Sequence, residues 1–188
     1  MDVKEFCNKA YKDAVQHGWH NDRSLTNEHY IMLIITELSE CIEADRKNLH
    51  ANLKSFLEET EKVTLDSSGG KEFWAKQFHK YIKDSFEDEL ADVAIRVADL
   101  AGLRGVNITD SSKDTHVDLS YSNFSELCFY EVYVIMSNYS HYGLSVTLSD
   151  ILWFCRKLSE LKCIDLSKHI ELKMQYNKLR PYMNNKKY

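Results

Sequence analysis

The sequence predicts an all-α protein, a helical bundle of about five helices that forms a single domain over residues 1–188. Residues that break helices are rare, because the chain contains one proline and six glycines. Apolar side chains recur at a spacing of three and four residues in several segments, which is typical of helices that bury one face.

The first two helices are predicted at residues 3–17 and at residues 27–60, where the second could break near His50. The hydroxyl of Thr26 stands where it can cap the second helix. A loop rich in serine and glycine follows. It makes residues 50–72 a candidate insertion within the domain.

The third helix is predicted from Lys71 to about Arg104, and Gly105 can end it. A polar stretch follows this helix and is expected to be irregular. No function is assigned to residues 107–145, although part of this segment has helical periodicity.

The fourth helix is predicted at residues 123–140. Thr147 and Asp150 resemble a capping box at the start of a fifth helix. That helix could bend near Asp165, whose side chain could cap a final segment, and Pro181 ends it.

Charge and cysteine content argue against several classes of protein. The formal net charge of -5 does not favour binding to nucleic acid, which needs a basic surface. The five cysteines include no Cys-x-x-Cys pair, which favours reduced thiols in the cytoplasm over a zinc ribbon. No signal peptide is expected, and the longest apolar run, near residues 31–35, is too short to span a membrane.

Two apolar segments carry pairs of acids three residues apart. At about 100° per residue, Glu37 and Glu40 lie together on one side of the second helix. Ile34, Ile35 and Leu38 lie on the opposite side. These two carboxylates are therefore expected beside apolar residues on a largely buried helix.

The second acidic segment is more regular. Glu89, Asp92, Arg96 and Asp99 form one narrow stripe, and all other residues from 89 to 101 are Leu, Ala, Val or Ile. Because an isolated buried carboxylate is costly, this stripe needs a cation or hydrogen-bond donors. Arg96 can pair with Asp92 or with Asp99, and Asp99 is assigned as its partner. Solvated faces are expected for six other acids, which are Glu43, Glu58, Glu59, Glu61, Glu87 and Asp88.

Oxygen ligands without histidine suit a hard cation, magnesium or manganese, rather than zinc. If the two acid pairs face each other, they can hold more than one such ion. Two ions about 4 Å apart would bridge a phosphoanhydride and activate an attacking water. The sequence contains no Glu-x-x-His spacing, which argues against ferritin-like di-iron sites.

The two acid pairs, Glu37-Leu-Ser-Glu40 and Glu89-Leu-Ala-Asp92, resemble the motifs of the MazG-like family in the all-α nucleoside-triphosphate pyrophosphohydrolase superfamily. Gly18-Trp19-His20 resembles the segment that leads into the first acidic helix of that family. The stretch from Lys173 to Pro181 is similar to the Lys-Met-x-Tyr-Asn-x-x-Arg-Pro ending of one subgroup. The resemblance covers residues 15–104 and 160–188.

Two features depart from the family pattern. The acid pairs are separated by the 48 residues from 41 to 88, more than in the compact pattern, which is why residues 50–72 are a candidate insertion. Asn184-Asn185-Lys186 stands where His-Gly-Lys is common.

The resemblance implies an enzyme that needs Mg2+, or Mn2+, and cleaves a nucleoside triphosphate between the α and β phosphates. The products would be a nucleoside monophosphate and pyrophosphate. It also implies a homo-oligomer, a dimer or a tetramer. The implied catalytic residues and metal ligands are Glu37, Glu40, Glu89 and Asp92.

Four further residues are candidates for binding the substrate. Trp19 could stack on the base, or it could close the core at a helix end. Lys173, Asn177 and Arg180 could bind phosphate or ribose, or they could lie on a solvated face near the chain end.

The alternative is a non-catalytic helical protein that retains the MazG-like fold and binds a partner. A tyrosine-rich fourth helix could form such an interface. The intact acid pairs favour the enzyme. The tyrosines concerned are Tyr121, Tyr130, Tyr133, Tyr139 and Tyr142.

Overall fold

The computed structural model describes residues 2–22, 24–109 and 123–182, and the regular structure of this part of the chain is α-helix without any strand. The all-α class is therefore confirmed. The expected number of about five helices is wrong, because these ranges contain eight. They are α1 (Val3–Gln16), α2 (Asn27–Arg46), α3 (Leu53–Thr60), α4 (Ser68–Tyr81), α5 (Phe86–Arg104), α6 (Phe124–His141), α7 (Leu144–Leu161) and α8 (Leu166–Leu179).

Most of these helices begin at a polar N-cap whose side chain accepts a hydrogen bond from a backbone N–H of the first turn. The caps expected at Thr26 and Asp165 are both confirmed. Gly105 ends α5 with a φ of 63°, the left-handed conformation that glycine adopts without a steric penalty. The caps are Asp2, Thr26, Asn52, Ser67, Ser85, Asn123 and Asp165.

The capping box expected at Thr147 and Asp150 is wrong. Helix α7 begins one turn earlier, at Leu144, after Gly143, whose φ is 81°. The hydroxyl of Thr147 donates instead to the carbonyl oxygen of Gly143 at 3.0 Å. Because Gly143 turns the chain into the helix, both polar residues lie buried inside α7.

The third predicted helix, from Lys71 to Arg104, is interrupted after Tyr81, and the second ends at Arg46. Asn48 and Asp84 have φ values of 52° and 60°, a left-handed conformation that asparagine and aspartate tolerate better than most residues. Each interruption is therefore a sharp turn rather than a bend within one helix.

The two interruptions lie side by side and are joined by backbone hydrogen bonds. The N–H of Asn52 donates to the carbonyl oxygen of Tyr81 at 2.8 Å, and the N–H of Phe86 donates to that of Leu49 at 3.0 Å. Glu87 accepts from the backbone N–H of residue 51 at 2.9 Å, so its expected place on a solvated face is wrong. These contacts make α3 and α4 a hairpin that leaves the bundle and returns to it.

The hairpin has an apolar core of its own, which it shares with α8. Phe78 stacks on Tyr176 with ring centroids 4.4 Å apart, and Trp74 stacks on Phe78 at 5.6 Å. The candidate insertion at residues 50–72 contains α3 and the start of α4. Its status as an insertion stays a prediction. The buried members of this core are Phe56, Trp74, Phe78, Ile82, Leu172 and Tyr176.

Helix α5 is the centre of the main core and packs against α1, α2, α7 and α8. Twelve of its 19 residues are buried. Helix α1 approaches closely at Gly102, where a Cβ atom would lie 2.6 Å from the Cβ of Tyr11. Glycine at this position lets α1 pack directly on α5.

Helices α6 and α7 complete the bundle and account for part of residues 107–145. The remaining part includes residues 110–122, among them Tyr121, which lie outside the described residues, as do residues 183–188. Among the helices described, none combines the length and apolar character needed to cross a membrane.

A carboxyl group is fully buried between these two helices. Glu131 of α6 is 1% exposed, and its Oε1 has no hydrogen-bond partner among the described residues. Burial, together with the nearby charge of Asp150, raises the pKa of Glu131 to about 8.

We expect Glu131→Gln to remove part of the pH dependence of the free energy of unfolding. The folded state keeps a proton that the unfolded state releases above about pH 4.3, so the wild type loses stability as the pH rises toward about 8. Glutamine does not titrate. Urea unfolding at several pH values measures this, with exposed Glu126→Gln on the same helix as control. Equal slopes in wild type and Glu131→Gln would contradict the prediction.

Candidate metal centre

Helices α2 and α5 pack side by side, and three of their acids meet at the contact. One oxygen atom from each of Glu37, Glu89 and Asp92 lies within 4.8 Å of the others. Glu89 and Asp92 are neighbours on α5 because they are three residues apart. Glu37 joins them because it lies on the face of α2 that α5 covers, where it is 5% exposed.

Glu40, the fourth predicted ligand, does not reach this group. Its side chain is exposed on α2. Its negative charge nevertheless raises the pKa values of Glu37 and Glu89. The structure thus brings three of the four predicted ligands together and leaves the fourth at the border of the site.

The three acids offer oxygen atoms of the kind that a small, hard cation prefers. Glu89 is 4% exposed, and its Oε2 has no hydrogen-bond partner among the described residues. An orphaned carboxylate oxygen at such a site needs a proton or a cation. Opposite oxygen ligands of magnesium lie about 4.2 Å apart, since each Mg–O distance is about 2.1 Å. The oxygens of the three acids lie within 4.8 Å of one another, a limit somewhat longer than this distance.

A buried lysine compensates one side of the cluster. Lys173 of α8 is 4% exposed, and its Nζ donates to Asp88 at 2.7 Å and to Asp92 at 2.8 Å. The expected solvated position of Asp88 is wrong, because α8 packs on α5 and covers it. The alternative that Lys173 lies on a solvated face is wrong for the same reason.

An arginine compensates the other side. Arg96 Nε donates to Oε1 of Glu37, across from α5 to α2. The expected partners on its own helix, Asp92 and Asp99, are not the ones it binds. Asp99 instead accepts a hydrogen bond from Nε2 of His20 at 2.7 Å. Glu37 is the more deeply buried carboxylate, so it gains more from the guanidinium than an acid one turn away.

Burial raises the pKa values of these acids. It raises the pKa of Glu37 to about 7, with a contribution from the charge of Asp92 that Arg96 opposes. It raises the pKa of Glu89 to about 8, although Lys173 acts in the opposite direction. Without a divalent cation, these carboxylates therefore bind protons more readily than free ones do, and a cation would compete with the protons.

A cavity of about 380 Å³ opens on the cluster, and every predicted site residue lines it. Trp19 is half-buried and lines this cavity, as do His20 and Tyr30. Asn177 has a buried Oδ1 without a hydrogen-bond partner among the described residues. The predicted residues around the cavity are Trp19, Glu37, Glu40, Glu89, Asp92, Lys173, Asn177 and Arg180.

His20 is held on both sides. Its Nδ1 lies 3.3 Å from the hydroxyl of Tyr30, and its Nε2 is bound by Asp99. Its ring also packs against that of Tyr11, with centroids 5.5 Å apart. In the sequence, His20 stands out only as part of a motif, and a separation of 79 residues from Asp99 leaves no local signal of their contact.

A larger cleft of about 720 Å³ lies along α3, α4 and α8. Phe56 and Trp74 line its apolar part, and Lys168 and Glu171 are among its polar residues. It contains no predicted site residue. The acid cluster and the smaller cavity are therefore the better candidate for a site of chemistry.

The chain matches no protein-family model, no curated protein and no solved structure. The assignment of a function therefore depends on the residues of the cavity and on their geometry.

We expect Lys173→Met to lower the free energy of unfolding by roughly 3–5 kcal/mol, because it leaves Asp88 buried without its cation. Chemical unfolding at neutral pH measures this change. Lys168→Met is the matched control on the same helix, since Lys168 pairs with the exposed Glu171 and should contribute about 1 kcal/mol or less. Similar losses in the two variants would contradict a structural role for the buried ion pair.

Proposed function

We propose that this protein is a magnesium-dependent nucleoside-triphosphate pyrophosphohydrolase of the MazG-like type. The observation that supports it most is the meeting of Glu37, Glu89 and Asp92 in a cavity, with an orphaned buried oxygen on Glu89. The reaction would cleave the bond between the α and β phosphates and release a nucleoside monophosphate and pyrophosphate. Mn2+ could replace Mg2+, because both prefer oxygen ligands.

The residues of the cavity suit the parts of such a substrate. Glu37, Glu89 and Asp92 would hold the cation, and the exposed Glu40 could contribute to a second one. When bound, the cation supplies a Lewis acid for phosphate oxygens and lowers the pKa of an attacking water. The volume of the cavity, about 380 Å³, is within the usual range for small-molecule sites, about 300–1,000 Å³.

The remaining cavity residues would position the nucleotide. The indole of Trp19 offers a flat apolar face for a base. Asn177 and Arg180 carry polar groups that can bind ribose or phosphate. Lys173 would act on the substrate only through Asp92, because its ammonium group is already bound by two carboxylates.

We also propose a cellular location and an oligomeric state for the enzyme. A cytoplasmic location is supported by five free cysteines, of which four are buried. A homo-oligomer, a dimer or a tetramer, would cover the apolar side chains that α6 exposes. Nucleic acid is not proposed as a partner, because the net charge of -5 opposes it.

A non-catalytic, partner-binding protein with the same fold is the second candidate, favoured by the surface of α6. Phe129, Tyr133 and Met136 on this helix are largely exposed. Tyr139 of the same helix is less available to a partner than these three residues, because its hydroxyl donates to Glu28 at 2.7 Å. Retention of all biological function in a hydrolysis-dead variant would favour this candidate.

We expect millimolar Mg2+ to raise the melting temperature of the wild type, because it binds the folded state and relieves repulsion between carboxylates.

Glu89→Gln should raise the melting temperature of the metal-free protein at about pH 8, because a neutral amide replaces a carboxyl that is costly to ionise when buried. The same variant should lose most of the Mg2+ response. Thermal shift assays measure both, with the exposed Glu43→Gln on α2 as control. A wild type that is indifferent to Mg2+ would count against the site.

We expect Glu89→Gln and Asp92→Asn to lower hydrolysis by roughly a hundredfold or more, because a ligated cation contributes several kcal/mol to the transition state. A screen of ribo-, deoxyribo- and modified triphosphates with Mg2+, read by pyrophosphate release, measures the activity. Circular dichroism checks that the helices persist. Release of orthophosphate instead of pyrophosphate would overturn cleavage between the α and β phosphates, and full activity in both variants would remove these acids from the reaction.

A further inference from the structure

Two cations flank the acid cluster, and they differ in how firmly they are held. The side chain of Lys173 is 6% exposed and binds two carboxylates. That of Arg96 is 36% exposed and binds one, Glu37. Lys173 is therefore part of the packing between α5 and α8, whereas Arg96 is partly open to the cavity that it lines.

Arg96 also has N–H groups that donate no hydrogen bond to a described residue. A guanidinium carries five N–H groups. Among the described residues, only its Nε donates a hydrogen bond, and the acceptor is Glu37. The two terminal nitrogens make no hydrogen bond to a described residue, although the charges of Asp92 and Asp99 also act on the guanidinium, and they can donate to an anion that enters the cavity.

The partner of Arg96 is one of the three acids that would hold a divalent cation. A guanidinium on Glu37 and a cation on the same carboxylate repel each other across a few ångströms. An anion bound between them would remove this repulsion. The arrangement thus couples the binding of the cation to the binding of an anion.

We propose that Arg96 is an exchangeable counter-ion, which neutralises Glu37 in the metal-free protein, releases it to the divalent cation and then donates to the phosphates of the substrate. This inference rests on the proposed function, since it requires both the cation and a phosphate ligand. A planar guanidinium suits this role because it binds phosphate oxygens through two parallel hydrogen bonds.

A different role would make the opposite prediction. If Arg96 were a permanent support that orients Glu37 toward the cation, its removal would weaken cation binding by about 10–100-fold. If it is a competitor for Glu37, its removal strengthens cation binding. The sign of the change separates the two roles.

The first experiment measures Mn2+ binding alone, without nucleotide, by calorimetry and by electron paramagnetic resonance, at several pH values. Affinities are compared where a further rise in pH no longer changes them, because Arg96 opposes the effect of burial on the pKa of Glu37 and its loss lets a proton compete with Mn2+. We expect Arg96→Met to bind Mn2+ about tenfold more tightly than the wild type, because a competing positive charge is gone. Arg46→Met is the matched control, since it removes a guanidinium from an exposed pair with Glu43 on α2 and should leave the affinity unchanged. Unchanged or weaker Mn2+ binding by Arg96→Met overturns the exchange.

The second experiment measures binding of inorganic tripolyphosphate at saturating Mn2+. We expect Arg96→Met to bind it about tenfold more weakly than the wild type, since the guanidinium no longer donates. If Arg96→Met does not fold by circular dichroism, Arg96→Lys decides: it should retain Mn2+ affinity within about threefold, because the charge remains, and should still bind tripolyphosphate more weakly. Tripolyphosphate binding as tight as that of the wild type in the folded variant overturns the proposal.

Two outcomes distinguish a failure of the proposed function from a failure of the Arg96 exchange. A wild type that binds no Mn2+ overturns the proposed function and the exchange together. A wild type that binds Mn2+ and releases pyrophosphate, while Arg96→Met shows no gain in Mn2+ affinity, overturns the exchange alone.

Discussion

Negative charge on the buried helix α5 constrains how the other helices pack around it. Asp88, Glu89 and Asp92 stand in the first two turns of a helix whose residues are mostly buried. The positive end of the helix dipole favours acids there, but it does not compensate for the loss of water around three carboxylates. The required cations come from other elements and other turns, Lys173 from α8 and Arg96 from further along α5. Helices α2 and α8 are therefore held against α5 by charge as well as by apolar contacts.

The hairpin of α3 and α4 supports this arrangement from outside the bundle. Its aromatic core reaches α8 through the stack of Phe78 on Tyr176. Tyr176 is three residues from Lys173, so the same helix that is fixed by apolar packing also delivers the buried ammonium group. The hairpin can in this way influence the acid cluster through α8.

The two resident cations suit different purposes. A buried ammonium bound by two carboxylates is costly to remove and is thus a structural element. A partly exposed guanidinium on one carboxylate is replaced at lower cost, which a site that must accept a divalent cation and then a polyanion requires. The orphaned oxygen of Glu89, between them, is the part of the cluster that neither cation satisfies.

Sequence alone determined the features that depend on neighbours along the chain. Helical periodicity predicted the all-α class, the caps at Thr26 and Asp165 followed from local hydrogen bonding, and the i, i+3 spacing put Glu89 beside Asp92. The tertiary structure decided the partners of charged groups, because Arg96 donates to Glu37 on another helix instead of to Asp92 or Asp99 on its own. It also decided where the third predicted helix breaks, since hydrogen bonds between residues 29 and 37 positions apart hold this turn against the one near His50, where the sequence had indicated a break. Such contacts depend on how helices pack, and a pattern read along one helix carries no information about the helix that will lie against it.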